Sequence, residues 1–186
     1  MTHNASLVHF TKDGDELIAH MARVSNPAGQ QKASEASGLI SYLIKHGHWS
    51  PFEMVNMCVE INTTRSIAAQ ILRHRSFSFQ EFSQRYSDVN QLGSPILPEL
   101  RRQDTKNRQN SIDDINHHDQ QLWLKMIDKQ FKQSMDLYQQ MLESGIAKEC
   151  AREVLPMASK SRLYMNGTLR SWIHYCKLRG ADGTQS

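Results

Sequence analysis

Apolar and polar residues alternate along three stretches of the chain, and this alternation predicts β-strands. The first is the short run SLVHF at 6–10, and the third is SRLYMNG at 161–167. The second stretch places an apolar residue at every second position: Val55, Met57, Val59 and Ile61. Because successive side chains of a strand point to opposite faces, this second stretch is predicted to be a half-buried strand.

Elsewhere the apolar residues recur at intervals of three and four, which predicts helices. The predicted helices cover residues 15–24, 33–46, 63–75, 122–144, 147–155 and 168–179. The helix over 122–144 is the clearest, and its apolar stripe is typical of a core or a subunit interface. A polar segment over 88–121, with Gly93, Pro95 and Pro98, is predicted to be a long loop. The pattern therefore indicates one mixed α and β domain over residues 1–186, without βαβ regularity.

Composition excludes several classes of protein. The 22 lysines and arginines are nearly balanced by 19 acidic residues, whereas a general nucleic-acid binder usually carries a clear basic excess. Three widely spaced cysteines fit neither a disulfide framework nor a zinc motif. No run of 18 apolar residues and no signal peptide is evident, so we expect a cytoplasmic protein, in the host cytoplasm if it is viral.

Charged and hydroxyl side chains are concentrated in RHRSFSFQEFSQRYS at 73–87. No phosphate-binding glycine motif is present, so any phosphate must be held by side chains. Arginine suits that task because its planar guanidinium binds phosphate or carboxylate bidentately. The candidate arginines are Arg73, Arg75, Arg85, Arg152, Arg170 and Arg179. We therefore expect a small anionic ligand, with Gln70, Arg73 and His74 on one flank of the preceding helix.

The polar residues could also belong to a metal site, a serine nucleophile or a nucleic-acid-binding surface. A metal site is not expected, because the histidines lack helical spacing and a third ligand. Ser83 as a nucleophile would need a base and an orienting group, so it is better interpreted as a ligand contact. A single-stranded nucleic-acid-binding module would use the basic segment 101–108 and stacking by Phe77, Phe79 and Phe82.

The signature of the flavin-dependent thymidylate synthases resembles this segment: Arg73-His74-Arg75, seven residues, Ser83, and then Arg85-Tyr86-Ser87. Further blocks resemble that family in the same order. They are ARVS at 22–25, HGHWSPFE at 46–53, AREVLP at 151–156, NGTLRSWIHYCKLR at 166–179 and TQ at 184–185. Members of that family continue past the last block with another helix. The domain over 1–186 is therefore expected to lack this usual C-terminal helix. A shortened relative that binds dUMP but is inactive is an alternative.

The resemblance implies a homotetramer with an α/β fold, more exactly α+β, in which helices flank a curved, mainly antiparallel sheet and the active sites lie at subunit interfaces. Such an enzyme binds FAD, takes hydride from NADPH, and uses methylenetetrahydrofolate to convert dUMP to dTMP. On the grounds of spacing, charge and hydropathy given above, we expect no metal, no nucleic acid and no membrane partner.

The resemblance also assigns roles to residues. Arg179 would be catalytic, stabilising the ionised N3 of the uracil ring. The other dUMP contacts would be Gln70, Arg73, Glu81, Phe82, Ser83, Gln84, Arg85 and Arg152. The FAD contacts would be Ser25, Ser50, Glu53, Arg73, His74, Arg75, Glu81, Thr168, Leu169, Arg170 and His174. His48 and Tyr86 would shape the folate or nicotinamide entrance. Ser50, Gln84 and His174 replace the threonine, glycine and asparagine of some members.

Overall fold

The structure is a computed structural model that describes residues 3–30 and 36–180. Its strands are β1 (Asn4–Phe10), β2 (Asn56–Thr64), β3 (Ser78–Glu81), β4 (Arg102–Gln103), β5 (Ser111–Ile112) and β6 (Lys160–Thr168). Its helices are α1 (Gly14–Ala22), α2 (Pro27–Gln30), α3 (Ala36–Lys45), α4 (Arg65–Ile71), α5 (His117–Glu143), α6 (Lys148–Ala151) and α7 (Leu169–Arg179). Short 3₁₀ turns cover Ser50–Met54, Val89–Leu92 and Arg152–Val154. The TQ block at 184–185 lies outside the described residues.

Four of the strands form an antiparallel sheet in the order β1-β2-β6-β3. Strand β6 is central, and its side chains alternate as an amphipathic strand requires: Leu163 and Met165 are buried, while Arg162 and Tyr164 are exposed. Its apolar face packs with α4 and α7 in a core of Ala68, Ile71, Phe77, Leu163, Met165 and Trp172. Mixed helices and antiparallel sheet were predicted, and the architecture confirms them.

Two smaller cores extend the fold away from the sheet. Helices α1 and α3 and the turn before β2 share one, built on Ile18, Leu43, Phe52 and Val55. The second holds one end of α5 through Tyr138, which is fully buried with Val89 and Ala151. These cores fix the segments that flank the sheet and carry polar residues toward its ends.

Several element boundaries differ from the sequence predictions. Helix α4 ends at Ile71, so Arg73 and His74 lie in the following turn and not on a helix flank. The predicted loop contains the β4-β5 hairpin, and α5 begins at His117, before residue 122. Strand β3 was not predicted at all. Charged and hydroxyl residues dominate its sequence neighbourhood, and they hide the alternation of a strand.

Helix α5 leaves much of its predicted apolar stripe in contact with solvent. Tyr138 is buried, and its hydroxyl accepts a hydrogen bond from the Val89 amide at 3.4 Å. At the other end of the helix, Trp123 is 54% exposed, and Leu122 and Met126 beside it are exposed as well. In the single chain, the apolar stripe is therefore buried at the Tyr138 end of α5 and exposed to solvent at the Trp123 end.

Residues 3–30 and 36–180 contain no helix long and apolar enough to cross a membrane. Within the same ranges, no three histidine, cysteine or acidic residues are grouped as a metal site would require. The three cysteines are free thiols, and Cys150 and Cys176 are exposed.

Candidate active site

The signature segment leaves α4 through tight turns and is anchored by one aromatic ring. The amides of Arg73 and His74 donate to the carbonyls of Gln70 and Ile71 at 3.3 and 3.1 Å. Phe77 is then only 9% exposed. Its ring meets Trp172 and Tyr175 edge-on, with centroids 5.0 and 5.7 Å away. This anchor holds the backbone while the side chains of Arg73 and Arg75 stay exposed.

A cluster of Arg73, His74 and Arg179 forms where this turn meets the end of α7, and the two arginines supply its positive charge. The His74 ring contacts Tyr175 edge-on, with centroids 4.8 Å apart. Partial burial, followed by the positive charges of Arg179 and Arg73, lowers the pKa of His74. Burial also raises the pKa of Tyr175, although Arg179 opposes that change. The residues of this cluster therefore share one positive field suited to an anionic group.

Glu81, the last residue of β3, forms a second cluster with Arg65 and Ser161. The Ser161 hydroxyl donates to Glu81 Oε1 at 2.7 Å, and Arg65 forms an ion pair with the same oxygen. One residue further, the amide of Phe82 donates to the Arg162 carbonyl at 2.8 Å. The ladder between β3 and β6 thus reaches the start of the loop that carries Ser83.

The loop over 82–87 is folded on itself and presents an arginine toward α6. The Ser83 carbonyl accepts hydrogen bonds from the amides of Tyr86 and Ser87 at 3.2 and 2.9 Å. Arg85 lies 3.4 Å from Glu149 of α6, and its guanidinium also covers the Tyr86 ring at 5.7 Å. Arg152 directly follows α6, so this third cluster places two of the predicted phosphate-binding arginines at one helix.

A fourth group connects the turn before β2 with α7. Glu53 forms an ion pair with Arg170, and the Trp49 and His174 rings lie 5.0 Å apart. The Thr168 side chain caps α7 by accepting from the Ser171 amide at 3.3 Å. The remaining predicted FAD contacts here are Ser50, which starts the turn, and Leu169, whose amide donates to the Val55 carbonyl at 2.8 Å.

The predicted site residues thus fall into separate clusters on one chain. Ser25 belongs to none of them and is exposed beyond α1. His48 and Tyr86 are both exposed, in different parts of the fold. Sequence reasoning missed Arg65, Glu149, Ser161 and Tyr175, which contact predicted site residues. Their only signal was proximity to the matching blocks, since a serine on a strand has no motif of its own.

The aromatic residues of the alternative nucleic-acid model are poorly placed for base stacking. Phe77 is buried in the core, and Phe79 and Phe82 are half-buried. A stacking platform for successive bases needs exposed ring faces. This burial disfavours that alternative.

Gln84 carries the strongest local indication of a missing ligand. Its Nε2 is enclosed, and no described residue accepts a hydrogen bond from it. A buried amide donor without an acceptor costs free energy, so such a group normally has a partner. Because Gln84 stands between Ser83 and Arg85, an acceptor from a bound molecule or another chain would complete its hydrogen bonding.

The fold matches solved structures, and the sequence matches a known protein family. A solved structure of a UMP/dUMP methylase, PolB from Streptomyces cacaoi bound with 5-Br dUMP, matches with a TM-score of 0.83 and 29% identity, covering 95% of this chain and 77% of that one. The fold is thus that of the UMP/dUMP methylases. The model of the family described as thymidylate synthase complementing protein matches residues 6–186. The chain belongs to this family.

Named relatives agree with the family match. A probable flavin-dependent thymidylate synthase of Paramecium bursaria Chlorella virus 1 is 51% identical, over 98% of this chain and 87% of its own. A flavin-dependent thymidylate synthase of a Synechocystis strain is 50% identical, over 91% and 76%. The resemblance inferred from the signature is confirmed.

Proposed function

We propose that this chain is a flavin-dependent thymidylate synthase that methylates dUMP to dTMP, with methylenetetrahydrofolate as carbon donor and NADPH as reductant through FAD. One observation carries the proposal beyond family membership. Arg179, assigned to the uracil ring, lies in the same cluster as Arg73 and His74, which are assigned to the flavin. The reaction requires the pyrimidine and the flavin to be neighbours, and this cluster supplies groups for both.

The donor set of the chain fits FAD. Arg73 and Arg75 offer exposed guanidinium groups beside His74, and such groups suit the diphosphate of a dinucleotide. The residues proposed to hold FAD are Ser25, Ser50, Glu53, Arg73, His74, Arg75, Glu81, Thr168, Leu169, Arg170 and His174. When bound, FAD supplies the hydride-transfer chemistry, and the protein contributes binding, orientation and charge.

For dUMP, we assign the phosphate to Arg85 and Arg152, the two arginines at α6. Ser83 and the unpaired Nε2 of Gln84 supply further hydrogen bonds between them. The other proposed contacts are Gln70, Arg73, Glu81 and Phe82. Arg179 stabilises negative charge at N3 of the ring, which increases the electron density at C5 where the new bond forms. An arginine suits this role because it stays charged at every working pH.

We further propose that the active enzyme is a homotetramer with sites built by neighbouring subunits. Two observations support this. The proposed ligand contacts lie in separate clusters, and Trp123 of α5 is exposed together with its apolar neighbours Leu122 and Met126. Exposed apolar patches of this kind mark interaction surfaces. Tyr86 and His48 would border the folate entrance of the assembled site.

The deciding experiment measures flavin and turnover in the purified protein. We expect the absorbance spectrum of bound flavin and release of tritium from dUMP labelled at C5 when NADPH and methylenetetrahydrofolate are present. Omission of either co-substrate should stop dTMP formation. A protein that takes up no added FAD contradicts the proposal. A yellow protein that binds dUMP but forms no dTMP identifies an inactive relative instead.

A further inference from the structure

The carboxylate of Glu81 is held at one of its two oxygens. Arg65 and Ser161 both contact Oε1, from different elements of the fold. Oε2 takes part in neither contact. A carboxylate oxygen has two lone-pair directions, so two donors on Oε1 use its capacity and leave Oε2 to accept from another group.

Both donors are themselves fixed. Ser161 is 2% exposed and lies near the start of the interior strand β6, paired with Thr63 of β2. Arg65 is the first residue of α4, and its amide donates to the Ser159 carbonyl at 2.9 Å. The donor hydroxyl and the backbone of the donor arginine are therefore set by the sheet and by the helix start, before any ligand binds.

Glu81 also lies at the junction between the sheet and the loop over 82–87. It pairs with Leu163 in the ladder of β3 and β6, and Phe82 continues that ladder by one hydrogen bond. Its side chain is 19% exposed, so the carboxylate is sheltered but reachable. A bond rotation in this side chain would change the direction of Oε2, and the two donors on Oε1 oppose that rotation.

We propose that Arg65 and Ser161 are positioning residues that lock Oε1 of Glu81, so that Oε2 is aimed at a hydroxyl donor of the bound nucleotide. This inference rests on the proposed function, because it takes Glu81 as a dUMP contact. It differs from a simple stabilising ion pair, which would need only Arg65. The buried serine adds direction, because a hydroxyl and a guanidinium approaching one oxygen define the plane of the carboxylate.

Ser161→Ala tests the proposal, with Ser159→Ala as the matched control. Ser159 is also buried in the same segment, at 1% exposure, but its hydroxyl has no hydrogen-bond partner among the described residues. We expect Ser161→Ala to weaken dUMP binding to the FAD-loaded enzyme by roughly tenfold, the usual effect of losing one hydrogen bond to a charged group. Ser159→Ala should change it less than about twofold.

Equilibrium dialysis with labelled dUMP measures this binding without turnover, and flavin absorbance measures FAD content in the same samples. We expect Ser161→Ala to retain its FAD, and to raise KM for dUMP more than it lowers kcat. Equal dUMP affinity in Ser161→Ala and Ser159→Ala overturns the proposal. Loss of FAD and of dUMP binding together overturns it as well, because the proposal has Ser161 act only on the contact between Glu81 and the nucleotide.

A double-mutant cycle separates an indirect role from a direct one. If Ser161 acts only through Glu81, then Ser161→Ala should have almost no further effect on dUMP affinity in a Glu81→Gln background. Additive losses in the double variant contradict the proposal. The single Glu81→Gln variant should weaken dUMP binding at least as much as Ser161→Ala does.

Arg65 gives an independent test that avoids the core. Arg65→Gln should weaken dUMP binding, and Arg65→Lys should restore part of it because a cation remains near Oε1. Arg162→Gln is the control, since Arg162 lies on the same strand as Ser161 but pairs with Glu60 and Asn62. Wild-type protein without FAD or turnover refutes the proposed function itself, whereas active wild type with unaffected Arg65 and Ser161 variants refutes only this inference.

Discussion

Arg179 is the last residue of α7 and lies beside His74, where its positive charge can stabilise an anion. The end of a helix presents unpaired carbonyls with partial negative charge, which favour a cation there. Its neighbour Arg73 adds a second positive charge, so an anion bound in the cluster is stabilised. A uracil ring ionised at N3 is such an anion.

Replacement of Arg179 should therefore separate chemistry from folding. We expect Arg179→Ala to lower kcat for dTMP formation by about 100-fold or more, as for other residues that stabilise developing charge. Arg179→Lys should recover part of this loss because it restores a cation without the planar fork. Lys177→Ala is the control on the same helix, where the ammonium lies over the Trp49 ring at 5.0 Å. Full turnover in Arg179→Ala would remove it from the mechanism.

His74 makes the stability of the protein depend on pH. Because burial and the nearby arginines lower its pKa in the folded state, the unfolded chain takes up a proton first as the pH falls below the usual histidine pKa of about 6.5. The free energy of unfolding should then decrease between pH 7 and the lowered pKa. His74→Phe keeps an aromatic edge against Tyr175 and should flatten this slope. Urea denaturation at pH 5.5 and 7.5 measures it, and equal slopes in both proteins would contradict the assignment.

At the scale of elements, the contact between Phe77 and Gly167 joins the signature segment to β6. A Cβ added at Gly167 would lie 2.5 Å from Cδ1 of Phe77, which is closer than packed atoms approach. The glycine therefore makes room for the ring that anchors the segment. This close approach fixes the backbone at Phe77, while Arg73 and Arg75, which come just before it, remain exposed.

Gly167→Ala should destabilise the fold by about 1–3 kcal/mol, because Phe77 must move within a packed core. Gly38→Ala in α3 is the control, since a Cβ there meets nothing within 4 Å and alanine favours a helix. Thermal denaturation should show a lower Tm for the first variant and an equal or higher Tm for the second. An unchanged Tm in Gly167→Ala would indicate that the ring moves freely.

The elements also show where sequence patterns suffice. Strands β2 and β6 and the long helix were predicted because one buried face imposes a period of two or of 3.6 on the apolar residues. Strand β3 was missed, and α4 was extended too far, because charged and hydroxyl residues interrupt the apolar pattern over 73–87. The contacts of Arg65 and Ser161 with Glu81 were also missed. They depend on the register between β3 and β6, which cannot be inferred from the sequence pattern.

At the scale of the whole molecule, the exposed end of α5 should govern association. Trp123→Glu places a charge in the apolar surface with Leu122 and Met126, and we expect it to shift the proposed tetramer toward smaller species and to reduce dTMP formation. Gln133→Glu, which introduces the same charge at an exposed position of the same helix, should leave the assembly intact. Light scattering after gel filtration measures both. An unchanged mass for Trp123→Glu would place the interface elsewhere.

The residues of the proposed site could be named from the signature, but their grouping could not. Arg179 and His74 are far apart in sequence and meet because α7 packs beside the turn after α4. Ser25 lies apart from every cluster of the single chain. A motif specifies which side chains are present, whereas the packing of the chain determines which of them lie close together.

The central place of β6 also bears on how the protein is made. This strand pairs with β2 on one side and with β3 on the other, yet it is synthesised after both. A nascent chain can pair β1 with β2 early, but β3 has no strand partner until residues 160–168 have left the ribosome. Until then Phe77 lacks its packing and the arginine-rich segment is unprotected. Translation that stalls before β6 should therefore yield chains that bind neither ligand and become substrates for chaperones and proteases.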